Sequence, residues 1–161
     1  MLIVITVTIG AVVMTLVRTY VTEGQTQVNV GSEAIKCGRD VAIQLPLLNG
    51  NYQICNASAI ETDMASLNFI VENVGSVDVL DMQVRIVGNN GIVQNDTVLN
   101  GTLKTGGVQI INLTFDPDLV GEFRQVKIVP RINLPGITEH AFCSDSGILI
   151  TSIPNNCTSY Q

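Results

Sequence analysis

MLIVITVTIGAVVMTLV, residues 1–17, carries no charged side chain, and nothing after Arg18 approaches its hydrophobicity. Burying one large aliphatic side chain is favourable by ~1.5–3 kcal/mol. Leu2, Ile3, Val4, Ile5, Val7, Ile9, Val12, Val13, Met14, Leu16 and Val17 therefore call for a solvent other than water, either a bilayer or other copies of the chain. A bilayer core of ~30 Å needs about 20 residues of ideal helix, with a range that starts near 17. The run stands at the short edge of a span.

Several readings compete for it. A secretory signal peptide has a basic stretch before its apolar region and a small-residue cleavage site after it; no Lys or Arg precedes Arg18, and no A-x-A pattern follows. A simple membrane anchor fits the length marginally. A buried strand is suggested by the β-branched Ile3, Val4, Ile5, Val7 and Ile9, but the run exceeds ordinary strand length. Past Arg18 the apolar positions thin out without losing helical spacing, with Val17, Tyr20, Val21, Gly24, Val28 and Ile35 on one face. This pattern predicts one long helix, apolar over residues 1–17 and amphipathic over 18–36. Gly24 and Gly31 each weaken it by about 1 kcal/mol relative to Ala.

Residues 37–161 suffice for one domain and are too few for two ordinary ones. The net charge of −6 and the lack of any basic cluster argue against a nucleic-acid partner. Leu67, Phe69 and Val71 alternate with polar neighbours ahead of Asn73-Val74-Gly75-Ser76, which reads as a turn. Met82, Val84 and Ile86 do the same before Gly88-Asn89-Asn90-Gly91, a sequence suited to the positive-φ positions of a hairpin. Ile111, Leu113 and Phe115 share a face, as do Val126, Ile128, Pro130 and Ile132, with Pro130 suggesting an edge or a strand end. Val41–Leu45 and Ile148–Ile153 are further candidates. The expected fold class is α+β: a long N-terminal hydrophobic α-helix followed by an antiparallel, immunoglobulin-like β-sandwich domain.

Four cysteines, Cys37, Cys55, Cys143 and Cys157, place the domain outside a reducing compartment and permit three disulfide pairings. The pairing favoured by sequence proximity is Cys37–Cys55 with Cys143–Cys157, closing loops of about 15–20 residues worth ~3 kcal/mol each. A zinc site is disfavoured, since there is no C-x-x-C and the only histidine is His140. Five N-x-S/T sequons, at Asn56, Asn95, Asn100, Asn112 and Asn156, agree with an exported, N-glycosylated surface. Asn112 falls opposite the apolar Ile111/Leu113/Phe115 face.

The layout resembles archaeal members of the type IV pilin superfamily, the adhesive pilins and archaellins. The resemblance lies in Met1–Val17, its amphipathic continuation to Ile35, and the Asn/Thr/Gly-rich β domain behind it, with Asn73-Val74-Gly75-Ser76 through Ile86, Gly106-Gly107-Val108 and Lys127-Ile128-Val129-Pro130. It implies cleavage of a short basic leader just before the apolar segment by a prepilin-type peptidase. No such leader is visible, so Met1 is either the mature terminus or the start of a differently processed chain. Bacterial pilins usually carry a glutamate at the fifth mature position; Ile5 stands there, and the first acidic residue is Glu23.

The function this implies is that of a structural subunit of an extracellular helical filament, an archaeal pilus or archaellum, serving adhesion or motility. The apolar segment would rest in the membrane before assembly and then pack against copies of itself. The partner is self, and no cofactor beyond N-linked glycans is expected. The alternative is a membrane-anchored, non-polymerising extracellular β domain acting as a binding or filament-assembly accessory protein. Catalysis is not expected: Asp116, Asp118 and Glu122 read as a turn, His140 as a loop residue, and no G-x-S-x-G, H-E-x-x-H or P-loop pattern occurs.

Overall fold

The computed structural model describes residues 35–48, 50–58, 64–134, 140–151 and Cys157 of the 161-residue chain. The chain divides between Ile35 and Lys36, and the second unit, Lys36–Gln161, holds every strand described below. Residues 35–40 are helical (α1). The strands are β1 (Ile43–Gln44), β2 (Leu47–Leu48), β3 (Asn51–Tyr52), β4 (Ile54–Ser58), β5 (Ala65–Asn73), β6 (Asp81–Gly88), β7 (Ile92–Asn95), β8 (Val108–Phe115), β9 (Phe123–Asn133), β10 (His140–Phe142) and β11 (Ile148–Ile150). A short helix, α2 (Pro117–Val120), joins β8 to β9, and a 3-10 turn at Ser144–Ser146 joins β10 to β11.

The expected α+β class is corrected by this inventory. The described residues are predominantly strand, and their two helices are short. The long N-terminal helix is not among the described elements, and its polymerisation positions, Leu2 to Val17, lie outside the described residues. Among the described residues no helix is long and apolar enough to cross a membrane.

Nine of these strands form two antiparallel sheets, and β2 and β3 pair with each other as a separate two-stranded hairpin. In the first, β5 is central, with β8 on one edge and β4 and β1 sharing the other. In the second, β6 and β9 are central, β7 flanks β6, and β10 and β11 share the far side of β9. Alternation decides which faces meet. β5 is buried at every odd position, and its Leu67 and Phe69 stand in register with Leu113 and Ile111 of β8. Val84 and Ile86 of β6 stand opposite Ile128 and Val126 of β9. These eight side chains join Val71, Met82, Phe115, Val120 and Ile150 in one core between the sheets. Each large aliphatic group taken out of water there contributes ~1.5–3 kcal/mol. Phe115 and Phe123 meet edge to face, with centroids 5.4 Å apart. A smaller cluster of Cys37, Val41, Ile132, Leu134, Ala141 and Cys143 closes one end.

Two expectations about turn chemistry are revised. Pro130 lies inside β9, not at an edge or strand end. Its carbonyl accepts from the Cys143 N–H, so its missing N–H points to the same side, where β10 has ended and β11 has not begun. Gly88 and Gly91 do not adopt positive φ. They are needed for space: a Cβ on Gly88 would strike the Val120 carbonyl, and one on Gly91 would come within 2.7 Å of the Leu119 carbonyl oxygen. The intervening Asn89 and Asn90 bind the α2 segment, Asn89 Oδ1 accepting from Glu122 N–H at 2.7 Å and Asn90 Nδ2 donating to the Asp118 carbonyl at 3.2 Å. Positive φ falls instead on Gly121, which ends α2.

Two buried polar residues pin the loops. Asn73 Nδ2 donates to the carbonyls of Val77 and Leu103, and its Oδ1 accepts from Gly75 N–H. Asp81 Oδ1 accepts from the N–H groups of Met82, Val98 and Leu99 at 2.7, 2.9 and 3.1 Å, while Oδ2 receives Arg131 at 3.0 Å. Burial pushes the Asp81 carboxyl up, but the N–H groups of Leu99, Met82 and Val98 together with Arg131 outweigh it and hold it below the usual carboxylate range.

Candidate functional site

A groove of mixed apolar and polar lining, with Gln44, Asn51 and Thr151 beside its aliphatic residues, lies at one edge of the sandwich. Its floor is Ile43, Leu45, Ile54 and Ile150, all buried and all part of the main core. Its rim is Leu47 and Tyr52 of the β2–β3 hairpin on one side and Leu149 of β11 on the other. These three are 60, 59 and 56% exposed. The space between them is about 810 Å³. The hairpin stands beyond the end of β1, pinned by Gln53 N–H to the Pro46 carbonyl at 3.2 Å, and Gly50 turns it with φ of 81°. Leu47 pairs with Tyr52 and Leu48 with Asn51, so a two-stranded flap of large exposed side chains overhangs the core.

The groove was not among the sites expected from the sequence. A signal for it existed: Leu47-Leu48-Asn49-Gly50-Asn51-Tyr52 is an Asn-Gly pair between apolar residues, the pattern of a two-residue hairpin.

The cysteines pair otherwise than proximity suggested. Cys37 bonds Cys143 and Cys55 bonds Cys157, at sequence separations of 106 and 102. The expected Cys37–Cys55 and Cys143–Cys157 pairing is therefore corrected. The reason is topological: β10, ahead of Cys143, lies along the end of β9 where Cys37 of α1 and the following Val41 pack, whereas Cys55 points to the outer face of the first sheet beside Asn68. Asn68 Nδ2 lies 3.5 Å from Cys157 Sγ, so Cys157 is on that outer face too. Both bonds join the first part of the domain to its last.

The sequons are not equivalent. Asn95, Asn100 and Asn112 are exposed, Asn112 in mid-strand on the outer face of β8. Asn56 is half-buried, and among the described residues its buried Oδ1 has no hydrogen-bond partner. Asn156 lies outside the described residues. The outer face around Asn112 also presents Val108 and Ile110, 60 and 73% exposed.

The acidic cluster resolves into structural roles. Asp116 caps α2 by accepting from Asp118 N–H at 2.9 Å, with Pro117 at the first helical position. Glu122 pairs with Arg124 at 3.3 Å on an exposed surface. His140 is exposed at the start of β10. Among the described residues no group of three His, Cys, Asp or Glu side chains converges as a metal site. No protein-family model matches the chain, and none of the curated proteins or solved structures compared with it does so either.

Proposed function

We propose that the chain is a structural subunit of an extracellular filament of the archaeal pilus or archaellum kind, polymerising through its N-terminal apolar segment. The observation that carries this reading is a division of labour along the chain. Residues within Lys36–Gln161 form a two-layer core of their own, closed by two disulfides. The uncharged run at residues 1–17 belongs to the other unit, and its hydrophobicity calls for an apolar partner. A bilayer supplies one before assembly, and other subunits supply one afterwards. The disulfides agree with an oxidising, exported setting, and the exposed sequons of Asn95, Asn100 and Asn112 with a glycan-covered exterior. A contact that repeats head to tail without closing gives a fibre.

Negative-stain microscopy of material sheared from the cell surface, with mass spectrometry of the filaments, tests the proposal. Peptides of this chain are expected as the dominant protein of a filament. If the chain stays in the detergent-soluble membrane fraction and never enters filaments, the reading is wrong and the anchored accessory domain replaces it.

A further inference from the structure

The outer face of the second sheet brings together two cations from distant parts of the sequence, and we infer that this face binds a carboxylate-bearing polysaccharide through Arg85 and Lys127. The inference rests on the filament reading above for its multivalency and adds to that reading a ligand class for adhesion.

Alternation fixes the geometry. Val84 and Ile86 of β6 and Val126 and Ile128 of β9 point into the core, so Arg85 and Lys127 point outward. The two stand directly opposite each other in register. Gln94 of β7 continues the row beyond Arg85, and Leu149 of β11 continues it beyond Lys127. The row crosses four strands, ~14 Å at a strand spacing of about 4.8 Å. Arg85, Gln94 and Leu149 are exposed, and Lys127 is half-buried.

Like charges directly opposite each other destabilise a sheet, so the fold gains nothing from this pair. Four other cations have acidic partners: Arg39 with Asp40, Lys104 with Asp78, Arg124 with Glu122 and Arg131 with Asp81. Around Arg85 and Lys127 the same face holds Gln83 and Val87 along β6 and Gln125 and Val129 along β9, all described and none acidic. Asp96, just past β7, accepts instead from the side-chain amides of Gln83 and Gln94, at 2.7 and 2.8 Å.

The pair suits carboxylates carried on a polymer. Arginine offers a planar fork that takes a carboxylate through two hydrogen bonds, and lysine sets a point charge beside it. Leu149, 56% exposed, gives the C–H face of a sugar ring an apolar surface to rest on. A nucleic acid calls for aromatic rings on which its bases stack, and the row holds none. A row ~14 Å long and one side chain wide also falls short of the ~800 Å² that each partner of a stable protein complex contributes. Two cations hold one subunit weakly, since a chain of net charge −6 repels a polyanion elsewhere. A filament repeats the row in every subunit, and avidity then exceeds the single-site affinity by about 10²–10⁴.

The test passes sheared filaments over beads carrying polygalacturonate, with neutral dextran, polyglutamate and duplex DNA beads alongside. Filaments are expected to be retained on polygalacturonate about tenfold better than on the other three. Salt at about 1 M, where the screening length is ~3 Å, is expected to release them. R85Q/K127Q filaments are expected to lose about tenfold in retention while the melting temperature of the chain stays the same or rises, because a repulsion has been removed. Arg124→Gln, at an exposed cation already paired with Glu122, is expected to leave retention unchanged. Filaments that ignore polygalacturonate, or R85Q/K127Q filaments that bind it as well as the parent, overturn the inference and leave the filament reading standing. Equal retention on polyglutamate or on DNA does the same, replacing the polysaccharide with an acidic protein or a nucleic acid. If the chain forms no filaments, the filament reading falls. Full-length chain coupled densely to beads then decides the row with soluble polygalacturonate: capture lost in R85Q/K127Q sustains it, and equal or absent capture overturns it.

Discussion

Removal of either disulfide should cost the same free energy, and removal of both should cost more than twice as much. Taken alone, Cys37–Cys143 closes a loop of 106 residues and Cys55–Cys157 one of 102. The chain-entropy relation assigns each ~4.7 kcal/mol at 25 °C. The two loops interleave, however, so neither is closed independently. With Cys55–Cys157 formed, the short route from Cys37 to Cys143 runs about 18 residues to Cys55, across the sulfurs, and about 14 residues back from Cys157. That loop of about 32 residues is worth ~3.7 kcal/mol. The reverse route is identical, so C37A/C143A and C55A/C157A should each lose ~3.7 kcal/mol. The fourfold variant should lose ~8.4 kcal/mol, about 1 kcal/mol beyond the sum. Denaturant titration of the full-length chain, followed by far-UV circular dichroism, measures the losses. Domain stabilities of about 5–15 kcal/mol put the fourfold variant near its folding threshold, so the series is run in a stabilising osmolyte. Two single losses differing by more than about 1 kcal/mol, or a fourfold loss no larger than their sum, would refute the reasoning. The adjacent pairing would have given ~3 kcal/mol per bond with no coupling.

Asp81→Asn should cost about 2 kcal/mol at pH 7, because charge-assisted bonds to three N–H groups and to Arg131 weaken together. Since the folded carboxyl titrates below the unfolded value of about 3.9, that stabilisation is complete above it and is lost as pH falls through the folded pKa. The gap between variant and parent should close below about pH 4, and a gap that widens there would contradict the sign. Phe69→Ala, at a side chain 1% exposed, should cost about 3–5 kcal/mol by chemical denaturation. Gly88→Ala should destabilise through collision with the Val120 carbonyl, and a neutral result would show that the α2 segment yields easily. Glycopeptide mass spectrometry should find glycan on Asn95, Asn100 and Asn112 and none on Asn56, whose Oδ1 is buried; equal occupancy at Asn56 would count against the burial argument.

Much of the sandwich was legible because its faces are one-sided. Alternation at Leu67–Val71, Met82–Ile86 and Ile111–Phe115 marks strands whose inner residues are the core. What was not legible depends on contacts distant in sequence. Pro130 is tolerated in a central strand only because two different strands share its far side, with a break where its N–H would be. Gly88 and Gly91 read as turn formers by their flanks, yet the constraint on them comes from α2, about 30 residues away. Proximity misled the cysteine pairing because sheet topology, not chain distance, sets which sulfurs meet. The groove combines β1 and the β2–β3 hairpin with β11, roughly 100 residues later, so no local window contains it.

The Cys37–Cys143 bond also bears on how the body responds to tension. A pull arriving from the N-terminal side meets that bond one residue into the second unit, before any strand. Force then passes through sulfur to Cys143 and along about 14 residues to Cys157, a path of ~50 Å, while the full contour between Cys37 and Cys157 is ~400 Å. Even with every hydrogen bond broken, the strands cannot be drawn out end to end. Oxidised, the body acts as an inextensible link; reduced, it becomes a spring with hundreds of ångströms of slack.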